Sequence, residues 1–354
     1  MTEQYLGSPQ PQNLQPATSA YMPPPPPRRG GGFFQAVLVL FAMVGFFAVI
    51  FCVGMYAIFS SFGVSDSAWL EEAHHSGNEA SSQKIAIVSV DDIIMEATAE
   101  FVLDQIKAAK EDDAVKAVVL RVDSPGGTIN ASDHIHREVK KLCRGPGATK
   151  PVVVSMQGLA ASGGYYVSAP ADKIFAERTT MTGSIGVIAS FPNVAELMDE
   201  WKVRMEVIKT GPLKDSGSPF RVMTDDERTR WDALIDDAFQ TFIEVVVEGR
   251  TAAGLDESKV RELATGEVYI AREAKARGLV DEIGYLEDAI AAAEKLAGIS
   301  DTNVIEYNRP LSLRELLIGV TAAKQSSIQI DLQSFFRANV PRLMFLSQAS
   351  GFEL

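Results

Sequence analysis

Residues Ser155–Phe175 read SMQGLAASGGYYVSAPADKIF, and the fold turns on how that stretch divides. Just before it, Pro151 to Val154 form a short β-branched run that reads as a buried strand. Gly158 to Gly164 consists almost wholly of Gly, Ala and Ser, which allows backbone to approach a ligand closely. An apolar helical pattern follows. The serine at the break, Ser162, would head that helix, where the positive end of the helix dipole favours negative charge developing on a reacting oxygen. Ser162 is therefore a candidate nucleophile, with a serine N-cap beside a tight turn as the competing reading.

Two further stretches bear on that choice. Upstream, AVKAVVLRVDSPGGTINASDHIHREV contains a buried strand, Val115 to Val122, then Asp123-Ser124-Pro125-Gly126-Gly127 and a helical pattern from about Ala131. Adjacent glycines after a strand can point backbone N–H groups into a cleft. Downstream, VIKTGPLKDSGSPFRVMTDDE places Lys214 in a polar Gly/Pro/Ser-rich loop between a strand-like MEVIKT and a capped helix. Before all of these, Lys84 to Val90 reads as a strand and Thr98 to Lys110 as an amphipathic helix. The resulting alternation of strand and helix through Phe175 implies parallel βαβ units, an α/β class. Thr224 and Glu227 make a capping box, and Trp231, Leu234, Ile235, Phe239, Phe242 and Val246 recur at helical spacing as core.

Exclusion narrows the chemistry. The histidines are His74, His75, His134 and His136, all before Ser162, so a triad ordered Ser, His, Asp cannot be built. His134 and His136, two apart on a helix, face different sides, and no H-E-x-x-H occurs, so neither a metal nor a cofactor is expected. The elbow G-x-S-x-G is missing, and the S-x-x-K of Ser81 to Lys84 lacks its companion motifs. Lysine remains as the activating base. It must be neutral to act, and desolvation lowers its pKa from near 10.4 toward working pH, which a buried loop on apolar neighbours would supply. Lys214 is the candidate; Lys209, nearby, reads as solvated surface.

The motifs SPGG, AASGGYY, TGSIGV and IKTGPLKDSGSP, in this order and spacing, resemble the signal peptide peptidase A family of membrane-anchored serine proteases, over roughly Lys84 to Ile299. The resemblance implies the spiral layered α/β fold shared with crotonases and caseinolytic proteases. It implies Ser162 as nucleophile, Lys214 as base, Ser184 of the TGSIGV turn as the residue orienting the lysine, and the N–H groups of Gly127 and Gly163 as oxyanion donors. It further implies remnant signal peptides as substrates and a homo-oligomeric ring whose serine and lysine come from neighbouring subunits. One departure is GEVYIA at Gly266 to Ala271, where the family reads GRVYTG. A catalytically inactive binding or scaffold protein on the same fold is the alternative.

Composition frames these expectations. The chain has 354 residues, 46% of them hydrophobic, and a formal charge of −13 without a basic stripe, which argues against nucleic acid as partner. Cys52 and Cys143 lie in unlike contexts, so no disulfide is expected. Residues 1–32 are Pro-, Gln- and Gly-rich and read as a disordered tail. Ala36 to Phe59 carries no charge for about 24 residues, enough to span a bilayer as a helix within 33–62, with a cleaved signal peptide as the competing reading. Arg28 and Arg29 before it, against Asp66, Glu71 and Glu72 after it, place the tail in the cytoplasm and the rest outside the inner membrane. A linker at 63–82, a peptidase domain at 83–300 and an extension at 301–354, without an assigned role, complete the expected layout.

Overall fold

The computed structural model describes residues 70–144, 147–309 and 344–346, preceded by helical positions at Met43, Gly45, Phe46, Val49 and Ile50. The chain divides into Met1–Asp66 and Ser67–Leu354. The tail 1–32, most of the expected membrane span and Cys52 lie outside the described residues. Among the described residues no helix is long and apolar enough to cross a membrane.

In chain order the second unit forms β1 (Glu71–Gly77), β2 (Lys84–Asp91), α1 (Glu96–Glu111), β3 (Val115–Ser124), β4 (Gly126–Thr128), α2 (Ile129–Cys143), β5 (Val152–Ala161) and α3 (Gly163–Ser168). There follow β6 (Lys173–Ala176), β7 (Met181–Gly183), α4 (Ala195–Glu200), α5 (Asp225–Arg250), α6 (Glu257–Leu263), β8 (Val268–Ile270), α7 (Ala271–Ala276), β9 (Glu282–Ile283), α8 (Leu286–Ala297), β10 (Asn303–Asn308) and β11 (Met344–Leu346). The main sheet runs β1-β10-β2-β3-β5-β6-β9, with β7 on β5 and β8 on β7. Its centre, β2, β3, β5 and β6, is parallel, as the alternation of strand and helix requires.

Successive residues of these strands serve opposite faces. Ile85, Ile87, Ala117, Val119 and Val153 pack with Ala289 and Ala293 of α8 on one side. Ala86, Val88, Val118, Leu120, Val152 and Val154 join α1, α2 and α3 on the other. Both faces being covered, the central strands read as continuous β-branched runs rather than alternating ones.

Three sequence expectations change here. β5 does not stop at Val154 but continues through the small residues to Ala161. Its pairing with β3 shifts between Val122↔Met156 and Ser124↔Ala160, held by the Leu159 N–H donating to Asp123 Oδ1 at 3.0 Å. Its first half pairs with β6 and its second half with β7, so β5 leaves one layer for another and carries its end toward the site. MEVIKT is not a strand: every residue from Met205 to Thr210 is exposed, and none pairs in a ladder among the described residues. Finally, of the helical aromatic and aliphatic series only Phe242 and Val246 are core, while Trp231, Leu234, Ile235 and Phe239 are half-buried. The expected linker contains β1, and the expected extension begins with β10, which pairs with both β1 and β2.

Candidate active site

The Ser-Pro-Gly-Gly turn is braced before it is functional. Ser124 Oγ donates to the Asp92 carbonyl at 2.5 Å and accepts from Gly126 N–H at 3.1 Å. Ile94 then runs parallel to β4, donating its N–H to Gly126 O at 2.8 Å and accepting from Thr128 N–H at 2.9 Å. Thr128 caps α2 through its hydroxyl, which accepts from Ala131 N–H. A side chain at Gly127 would place its Cβ 2.0 Å from the Ile94 carbonyl oxygen, so only glycine fits there.

Ser162 follows β5 at φ 54° and ψ −114°, outside the regions an L-residue ordinarily adopts. It stands at the N-cap position of α3, yet its hydroxyl makes no capping bond, so the capping reading fails. Its side chain is 1% exposed and Oγ has no hydrogen-bond partner among the described residues. A buried hydroxyl left unpaired costs free energy unless a ligand or partner completes it. The backbone is held firmly: Ser162 N–H donates to Gly183 O at 2.8 Å, and Tyr166 N–H returns to Ser162 O. The paired tyrosines then lock α3, with Tyr165 Oη donating to Leu279 O and Tyr166 Oη to Asp133 Oδ1, each at 2.9 Å. Tyr166 also meets His136 and Phe242 edge to face, both at 5.1 Å.

The expected oxyanion segments adjoin one another. A Cβ added at Gly163 would lie 2.7 Å from Ser132 Oγ, 2.9 Å from Gly126 Cα and 3.1 Å from Gly127 N. Ser184 comes to the same place, since Ala161 pairs with Gly183 across β5 and β7; it too has positive φ, 50°, and its N–H donates to Glu267 O at 2.7 Å. Ser162, Gly163, Gly127 and Ser184 therefore share one corner.

Lys214 is not in hydrogen-bond contact with Ser162, and its side chain is exposed rather than buried on apolar neighbours. It sits in turns on an arm, 190–223, pinned by Asp215. That carboxylate takes Arg221 at 2.8 Å and Lys209 at 2.5 Å, and Arg221 also pairs with the buried Glu227. These cations hold Asp215 well below the usual carboxylate range, chiefly through the Arg221 hydrogen bonds, and the Arg221 bonds bring Glu227 down to about 2. Beneath the arm, a cavity of about 330 Å³ is lined by Phe191, Arg221 and Trp231 among others. Trp231 packs on Phe191 at 4.8 Å and donates to Ser216 Oγ at 2.9 Å. Lys209, expected as solvated surface, is exposed but ion-paired.

Sequence reasoning passed over Ser132, fully buried, whose hydroxyl has no partner among the described residues and lies against Gly163. A signal existed, a polar residue on the apolar stripe Ala131, Ile135, Val139 and Leu142 of α2. It also passed over β11, whose three residues pair with β4.

Comparison with known proteins gives the family of the chain. The model of Peptidase family S49 matches residues 147–300, and that of Clp protease matches 76–190, in line with a layered Clp protease or crotonase-like α/β fold. The chain is 39% identical over 223 residues to a Methanocaldococcus jannaschii protein whose protease name is provisional, covering 63% of this chain and 69% of that one. It is 42% identical over 205 residues to an Enterococcus faecium protein provisionally named signal peptide peptidase SppA, covering 58% of each. With Protease 4 of Salmonella typhi it shares 34% identity over 251 residues, 71% of this chain but 40% of that longer protein.

Proposed function

The chain belongs to peptidase family S49 and is a serine protease, and from that premise we propose an endopeptidase that works through a Ser162/Lys214 dyad. The neutral Lys214 amine takes the proton of Ser162 Oγ as that oxygen attacks the peptide carbonyl. Ser184 orients the amine, and the N–H groups of Gly127 and Gly163 receive the developing oxyanion. The proton passes to the departing amine, and water releases the acyl-enzyme by the same route in reverse. The observation that carries this reading is the Ser162 hydroxyl itself, buried, unpartnered among the described residues and held at positive φ beside two glycine segments.

The base comes from a neighbouring subunit in this reading. The Lys214 side chain is exposed and makes no hydrogen-bond contact with Ser162 within its own protomer. The arm that bears it exposes Trp201, Val203, Met205, Val207 and Ile208 in one run, apolar surface of the kind that a second copy covers. A head-to-tail interface closing into a ring would carry each arm to the next Ser162. The substrates are unstructured apolar peptides such as signal peptide remnants, a choice supported by the name of the Enterococcus relative. We place the catalytic domain outside the inner membrane on one N-terminal anchor, on the strength of the uncharged Ala36–Phe59 stretch and the arginines before it.

A fluorophosphonate probe on the full chain tests the core of the proposal. A single adduct on Ser162, lost in Ser162→Ala together with peptide hydrolysis, is the expected result. Wild-type turnover by Ser162→Ala would overturn the assignment.

A further inference from the structure

Most buried serines and threonines of this protein are hydrogen-bonded. Ser124 Oγ donates to Asp92 O, Thr180 Oγ1 to Gln157 O, Thr182 Oγ1 to Ala160 O at 2.6 Å and Ser168 Oγ to Gly164 O at 2.7 Å. Among the described residues three buried side-chain polar atoms have no partner: Ser132 Oγ, Ser162 Oγ and Tyr307 Oη. Tyr307 belongs to β10, but the other two adjoin Gly163, Ser162 as the preceding residue and Ser132 across the Gly163 Cα. An unsatisfied buried group calls for an explanation, and two beside one glycine call for a common one.

Ser132 leaves its ordinary outlet unused. It stands one turn into α2 and is 0% exposed, where a helix serine donates to the carbonyl four residues back, here that of Thr128. Ser168 makes that bond in α3; Ser132 makes none. The Cβ position of Gly163 lies 2.7 Å from Ser132 Oγ and 3.1 Å from Gly127 N, so the hydroxyl is gathered with the two glycines assigned above to the oxyanion. A serine hydroxyl turns to meet whatever acceptor arrives.

We propose that Ser132 is a third donor of the oxyanion hole, a catalytic residue whose hydroxyl hydrogen-bonds the negative oxygen formed as Ser162 attacks the peptide carbonyl. The inference rests on the reading of Ser162, Gly127 and Gly163 given above. A donor left unpaired in the resting site gains most when charge develops on that oxygen, so it acts on kcat rather than on KM. Alanine would serve as well if the position needed only a small residue against Gly163.

Ser132→Ala removes the hydroxyl and nothing else. With a leucine-terminated fluorogenic peptide amide, kcat should fall about 10²-fold at constant KM, the usual effect of losing one such donor. The peptide aldehyde of the same sequence, which adds to Ser162 and sets an oxyanion-like oxygen in the hole, should bind about 10²-fold more weakly. Ser132→Cys, which keeps the shape and a weak S–H donor, should fall between the two in both readouts. Uncleaved peptide should bind Ser162→Ala equally well with and without Ser132→Ala. Wild-type kcat and aldehyde affinity in Ser132→Ala overturn the inference. So does a loss of kcat matched by an equal loss of affinity for uncleaved peptide, the mark of a structural role. Wild-type hydrolysis by Ser162→Ala would instead remove the nucleophile on which the inference stands, whereas an inactive Ser162→Ala beside an unimpaired Ser132→Ala removes the inference alone.

Discussion

Ser162 and Gly127 carry opposite predictions at the scale of single residues. The hydroxyl of Ser162 has no partner among the described residues, so Ser162→Ala should keep or raise Tm while hydrolysis falls by ~10³-fold or more. Gly127 is the opposite case. Gly127→Ala would drive a Cβ to 2.0 Å from the Ile94 oxygen, so β4 must shift, at about 1–3 kcal/mol, and activity should fall with it; thermal melts beside peptide assays check both. His136 gives a pH signature. Burial lowers its pKa to about 4, with Asp133 and Glu248 opposing and Lys140 reinforcing. The unfolded imidazole binds a proton below about 6.5 and the folded one does not until about 4, so the unfolded state takes up more protons in that window. Stability should therefore fall as pH drops from 6.5 to 4, by on the order of 3 kcal/mol, and His136→Phe should flatten that part of the slope in denaturant titrations.

At the scale of elements, β5 and the lysine arm are built on different principles. β5 is paired along both edges, and hydrogen bonds of its own backbone and of the α3 tyrosines hold Ser162 in place. The arm is held mainly by charge. Arg221 ties Asp215 to Glu227, and both carboxylates are shifted downward by it, so their contribution is present above about pH 4 and is lost as pH falls from there through their folded values. Arg221→Met should loosen the arm at neutral pH, seen as faster proteolytic nicking within 201–211, while the sheet resists. Unchanged nicking would mean that Trp231 and Phe191 alone suffice to hold it.

At the scale of the molecule, the separation of an embedded serine from an exposed lysine is what a shared site predicts. Equal amounts of Ser162→Ala and Lys214→Ala chains, unfolded and refolded together, should recover about a quarter of wild-type activity, because random neighbours pair an intact serine with an intact lysine half times half of the time. No recovery, with co-assembly demonstrated, would place both residues of the dyad in one chain.

Much of this was legible without coordinates, for a physical reason. Strand β2, strand β3 and helix α1 announce themselves because local periodicity and burial agree over long runs. The capping box at Thr224 and Glu227 is equally local. Ser162 and the Gly126-Gly127 pair stood out as small-residue turns, whereas the roles expected of Ser184, Gly127 and Gly163 came from the resemblance to a family. What distance in sequence hides was decided by tertiary structure alone. Gly158, Ala160 and Ala161 are poor strand formers, and pairing of this segment with β3 and β7 makes it strand. The apolar alternation of MEVIKT pairs with no strand among the described residues and stays exposed. Ser132 interrupts an apolar helix stripe in the sequence, but its place against Gly163 is set by tertiary packing. And Met344–Leu346, three ordinary residues, acquire meaning only because the chain returns them, more than two hundred positions later, to Gly126–Thr128. Local propensity carries no information about that closure, since the hydrogen bonds that specify it belong to the partner strand.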